Sequence, residues 1–297
     1  MGTNQTVPPK TLIGVITHPK SKADPHAYQE AIKFFEDGFK VNEWQVTSVI
    51  SDENSFNENV NLIQIWISKW WNIFLVQSWI HFIEKNYEEK YRRFRFRAIT
   101  DVLKRSRIVI IFAVKTLIQP KLKKSEILKY KRNINISLSH LNVMNTAKNS
   151  LADLVLILED DALLRSDDAL LKDLIDFSKI SLAISDIPSL VNLSESLPIA
   201  KLFVTDSNGI LPQISVSKNI YLPRIMHHNT ICAVLYNSKY IDSATSDWNE
   251  KIHKFVFRGI PADWIINALI LELPNNSLLT FHSEKNLIIQ GSLHVKE

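Results

Sequence analysis

Three consecutive acids, Glu159, Asp160 and Asp161, follow directly on an apolar run at residues 154–158, Leu-Val-Leu-Ile-Leu. So short a run of large aliphatic residues predicts a strand covered on both faces, in the middle of a sheet. Three carboxylates at the end of such a strand repel one another and lose hydration. A divalent cation carrying a phosphorylated ligand compensates them economically. In open α/β sheets ligands collect at the carboxyl ends of the strands, where these acids fall. The alternative is that Asp160 or Asp161 caps a helix beginning at Ala162, with the helix dipole favouring the negative charge. That accounts for one acid or two, not three.

The elements that must position these acids read as alternating strands and helices. Residues 11–17 predict a first buried strand, closed by His18-Pro19. Residues 27–39 have helical spacing, with Ile32, Phe34 and Phe35 near one face, and 44–50 read as a second strand. A β-α-β start is how nucleotide-binding α/β domains open. With no Gly-x-Gly-x-x-Gly, no Walker lysine loop and only six glycines, the chain does not read as a dinucleotide dehydrogenase or a P-loop enzyme. Residues 134–150 predict a helix feeding the acidic strand, and 167–180 the helix after it. Further strands are expected at 202–206, 230–236 and 287–290. Residues 261–272 predict a helix with Pro261 at its first turn and Asp263 inside that turn.

Residues 61–83 predict a long helix bearing Trp66, Trp70, Trp71 and Trp79 and a single charge, Lys69. That composition raises a transmembrane span. A stripe of Asn61, Gln64, Ser68, Asn72 and His81 favours instead an amphipathic helix, packed or interfacial. The cluster Tyr91-Arg92-Arg93-Phe94-Arg95-Phe96-Arg97 follows. It reads as a solvated basic face, as contact with an anionic acceptor or membrane headgroups through 61–107, or as closure over a diphosphate. Nucleic-acid binding is not expected from one short cluster.

With 297 residues, 45% of them hydrophobic and 22% charged, the chain suffices for one large α/β domain. The lone cysteine, Cys232, excludes an intramolecular disulfide and a cysteine zinc cluster, and fits a reducing, cytoplasmic setting. No signal peptide is visible in the polar start at 1–10. Between Lys85 and Arg132 stand 16 Lys/Arg against 4 Asp/Glu, a local +12 in a chain of +4, which leaves the remainder at −8. Such segregation suggests an anionic partner.

Ser139-His140-Leu141, Ala147, Ala152-Asp153 and residues 156–162, Leu-Ile-Leu-Glu-Asp-Asp-Ala, resemble the core of the family 25 glycosyltransferases of lipopolysaccharide and surface-glycan synthesis. More loosely, residues 229–235 and Pro261-Ala262-Asp263-Trp264 resemble later parts of that family. The good match covers about residues 134–165, and Thr17-His18-Pro19 stands where the family has a different signature. The resemblance implies an α/β, GT-A-like nucleotide-binding sheet flanked by helices in one domain over 1–297, with a helical Trp/Arg-rich insert at 58–132. It implies a metal-dependent glycosyltransferase of polysaccharide biosynthesis. Such an enzyme moves a sugar from a nucleotide-sugar to a glycan or lipid-linked acceptor at the cytoplasmic side of a membrane. Asp161 would bind Mn²⁺ or Mg²⁺, with His282 or His294 as a further ligand. Glu159 or Asp160 would contact the ribose or sugar of the donor, or the metal through water; Thr17 and His18 would lie beside its nucleotide, and His140 would either bond the donor or brace the turn. Asp263 would be the general base of an inverting transfer, or merely a charge on a helix N-terminus. A non-catalytic binding or scaffold protein on the same fold and a nucleotidyltransferase are the competing expectations.

Overall fold

A computed structural model of the chain describes residues 9–17, 27–39, 45–50, 56, 59–87, 94–165, 168–194, 213–217, 220–223, 231–274, 277–283 and 287–290. His18, His294, the strand expected at 202–206 and the side chains of the Arg92–97 cluster lie outside the described residues.

The chain is α/β. Strand β1 (Thr11–Thr17), helix α1 (Ala27–Phe39) and strand β2 (Gln45–Ile50) open it as the sequence predicts. Three long helices follow: α2 (Leu62–Tyr87), α3 (Phe94–Ile118) and α4 (Pro120–Asn149). Then come β3 (Leu154–Glu159), β4 (Ala162–Leu164), α5 (Asp168–Phe177), β5 (Ser189–Asn192), β6 (Gln213–Ser217), β7 (Ile220–Pro223) and β8 (Ala233–Asn237). Helices α6 (Ser238–Thr245), α7 (Asn249–Phe257) and α8 (Ala262–Glu272) and strands β9 (Leu279–Ser283) and β10 (Ile288–Gln290) complete it.

Eight strands form one mixed sheet in the order β2-β1-β3-β8-β5-β9-β7-β6. Only β8 and β7 run against the others. Because successive side chains of a strand point to opposite faces, β3 supplies two cores at once. Leu154, Leu156 and Leu158 join Ile13, Val15, Phe35 and Leu174 on the side of α1 and α5. Val155 and Ile157 join Ile134, Val143 and Phe255 on the side of α4 and α6–α8. All five residues at 154–158 are essentially inaccessible, which is why this strand needs an unbroken apolar sequence. At Gly14 β1 meets α4 so closely that a Cβ there would stand 2.1 Å from Val143 Cγ1.

Residues 162–164 are not a helix. They form β4, paired antiparallel with β10 in a separate two-stranded sheet, Ala162 opposite Gln290. The acids therefore do not cap a helix at Ala162. Helix α4 begins at Pro120 rather than near 134. The extended backbone of Gln119 (φ −110°, ψ 96°) and the ring of Pro120 separate it from α3. The middle of the polar stripe of α2, Ser68 and Asn72, faces the protein rather than water. Ser68 is buried, and it and Asn72 donate to the carbonyl of Gly259. Ile63 and Ile67 of the same helix are exposed. Among the described residues no helix is long and apolar enough to cross a membrane.

Candidate functional site

The acids lie at the carboxyl end of β3, beside the point where the strand order of the sheet reverses. From β1 the chain crosses to β2 on one side, and its other neighbour is β3, reached only after α4. The strand order thus reverses between β1 and β3, and in such sheets the gap outside the carboxyl ends at that reversal is where ligands bind. Glu159, the last residue of β3, is in register with Ile16, one residue before the end of β1 at Thr17. Asp160 and Asp161 form the turn that leaves the sheet for β4. Thr17, Glu159, Asp160 and Asp161 thus share one edge.

Alternation along β3 sends Glu159 to the α4 side, since Leu158 goes to the other. There its Oε1 lies 3.4 Å from His140 Nε2. His140 is buried on α4, one turn from Ser137. Neither His140 Nδ1 nor Ser137 Oγ makes a hydrogen bond among the described residues. Both residues line a cavity of about 30 Å³ together with Met144, Tyr236, Tyr240 and Ile265, which has room for a water molecule. The backbone N–H of Glu159 donates to the carbonyl of Cys232 at 2.8 Å, fixing the end of β3 to the entry of β8.

Asp263 enters the same neighbourhood from the first turn of α8. Its Oδ1 accepts from the backbone N–H of Trp264 at 2.9 Å. Burial pushes its carboxyl up to about 7. The Trp264 hydrogen bond opposes that rise, and the nearby negative charge of Glu159 adds to it. Half-buried with its electrostatic partner Glu159, Asp263 is a carboxyl poised to exchange a proton near neutrality. Burial raises the Cys232 thiol, Ser194 opposes this, and Glu159 and Asp161 raise it further. Cys232 is fully buried and remains a protonated core residue.

His282 is not brought to the acids. It lies on β9, level with Asn192, Val234 and Ile157 across the sheet, three strands or about 14 Å from β3. Among the described residues no three His, Cys, Asp or Glu side chains are arranged to hold a metal ion.

Neither the models of known families nor the characterised proteins match this chain.

Ser137, Tyr236 and Cys232 border the site but were not singled out for it from sequence. Ser137 alone left a local signal, since it falls three residues before His140 and so on its face of the helix.

Proposed function

We propose that this protein is a metal-dependent glycosyltransferase on a GT-A-like sheet, taking a nucleotide-sugar donor and inverting at the transferred sugar. The reading rests on one observation: at the reversal point of the sheet, the Glu159-Asp160-Asp161 edge and a carboxyl raised to about 7 at Asp263 converge from different elements.

The donor set fits a hard cation in part. Asp160 and Asp161 are consecutive carboxylates in the turn after β3, but the described residues provide no closed cage. Mg²⁺ and similar ions are commonly held by one or two carboxylates together with substrate phosphates, so Asp161 would share the ion with the donor diphosphate. The chemistry so supplied is neutralisation of charge on the departing diphosphate. The chain's own residues do the rest. Thr17 and Asp160 border the crevice for the nucleotide. His140 holds Glu159 in a fixed orientation. Asp263, ionised above about pH 7, takes the proton of the acceptor hydroxyl.

Calorimetric titration with nucleoside diphosphates and nucleotide-sugars, with Mn²⁺ and with chelator, tests this. Binding of one nucleotide class that needs the ion and disappears in Asp161→Asn is expected. Asp263→Asn should bind the donor and not transfer. Absence of binding by every nucleotide would favour the non-catalytic scaffold reading.

A further inference from the structure

Helix α3 is amphipathic in the wrong sense for a helix covered only by water. Its face toward the protein carries Arg105, 6% exposed, and Thr116, 0% exposed. Thr116 Oγ1 accepts from Trp66 Nε1 of α2 at 3.0 Å and donates to the carbonyl of Ala113. Its outward face carries Leu103, Ile110, Val114, Leu117 and Ile118, between 48% and 72% exposed. At 100° per residue these five fall within one side of the helix. Apolar area this contiguous marks a contact surface.

The charges identify what covers it. From Leu103 to Ser125 the chain has seven Lys/Arg and no Asp or Glu. Arg107 lies within the apolar stripe, and Lys104 and Lys115 lie along one edge of it. Lys121, Lys123 and Lys124 continue the positive edge onto α4, and all six are exposed. A second copy docked by two-fold symmetry would set this uniformly cationic face against itself, which like-charge repulsion disfavours. An apolar stripe whose charged residues between 103 and 125 are all cations suits a surface that is apolar within and anionic at its rim.

We infer that the outward face of α3, with the first turn of α4, seats this protein on an anionic lipid bilayer, lying in the headgroup region without crossing it. Ile110, Val114, Leu117 and Ile118 enter the acyl boundary, and Lys104, Lys115, Lys121, Lys123 and Lys124 meet the headgroups. The inference does not depend on the glycosyltransferase reading.

The full chain is sedimented with phosphatidylcholine vesicles, with and without a one-third share of phosphatidylglycerol. Wild type should bind the anionic vesicles at least about tenfold more tightly than the neutral ones, and binding should weaken as salt rises. Ile110→Glu with Val114→Glu, both exposed, should keep the wild-type melting temperature and lose about tenfold or more in binding. Lys121→Ala with Lys123→Ala and Lys124→Ala should lose binding severalfold and reduce its salt dependence. Wild type left in the supernatant with both vesicles overturns the inference, as does binding unchanged in both variants. A dimer that the Ile110/Val114 variant dissolves, with vesicles unbound, overturns it in favour of a second copy.

Discussion

Asp263 stands between opposing influences. It sits in the first turn of α8, where the helix dipole and the Trp264 N–H favour a negative charge. Burial and the charge of Glu159 disfavour it, and they prevail, lifting the carboxyl from its ordinary 3.8 to about 7. The folded chain therefore binds this proton more tightly than the unfolded chain does. The stability so contributed is fully present below about pH 4 and is lost as the pH rises through about 7. Asp263→Asn, close in shape and unable to ionise, removes that dependence. Relative to wild type the variant should gain on the order of 2–4 kcal/mol between pH 4 and pH 8. Melting temperatures of the pair at both pH values measure it, and a constant difference would mean that Asp263 titrates normally. If the same carboxylate accepts the acceptor proton, wild-type transfer should rise with pH and level off above about 7.

At the scale of elements, the turn that delivers α4 into β3 carries a correctable strain. Ala152 N–H donates to the Ala147 carbonyl and Leu151 N–H to the Lys148 carbonyl. This paired closure puts the residue after the cap in left-handed backbone, a place that favours glycine. Leu151 takes it at φ 54° while 82% exposed. Leu151→Gly should raise stability by about 1 kcal/mol in a denaturant titration. In contrast, Gly14→Ala should cost about 1–3 kcal/mol, because its Cβ would overlap Val143. Val143→Ala should recover much of that loss in the double variant, and a purely additive cycle would deny the contact.

The same elements show what the sequence could reveal. Strand β1 and helix α1 were readable to the residue, because a buried strand demands a continuous apolar run and a covered helix demands spacing. Strand β4 was not, since Ala162-Leu163-Leu164 suits helix or strand alike. Only β10, more than a hundred residues later, decides between them. The polar stripe of α2 was visible, but its direction depended on the carbonyl of Gly259. Of the site, the acids at the end of β3 were plain in the sequence. The approach of His140 and Asp263 to Glu159 was not derivable from spacing, because it is made by separate helices meeting over β8.

Across the whole molecule, two chemistries are kept apart. The acids gather at the carboxyl edge of the sheet, and the positive excess lies in the segment from Lys85 to Arg132. Helix α4 spans the gap. Its cationic first turn abuts α3, and His140 lies 20 residues further on, about 30 Å along the axis. Variants of the two regions should therefore act independently, as distant sites without shared partners do. A nucleotide held at a hundred times its dissociation constant adds about 2.7 kcal/mol to the native state, raising the melting temperature of a chain this size by about 5 °C. That rise should need Mn²⁺ or Mg²⁺, vanish in Asp161→Asn and persist in Asp263→Asn. It should also persist in the Ile110→Glu/Val114→Glu variant, whose substitutions touch neither the core nor the sheet edge. Loss of the rise in that last variant would show that the outer face of α3 is coupled to the crevice rather than insulated from it by the length of α4.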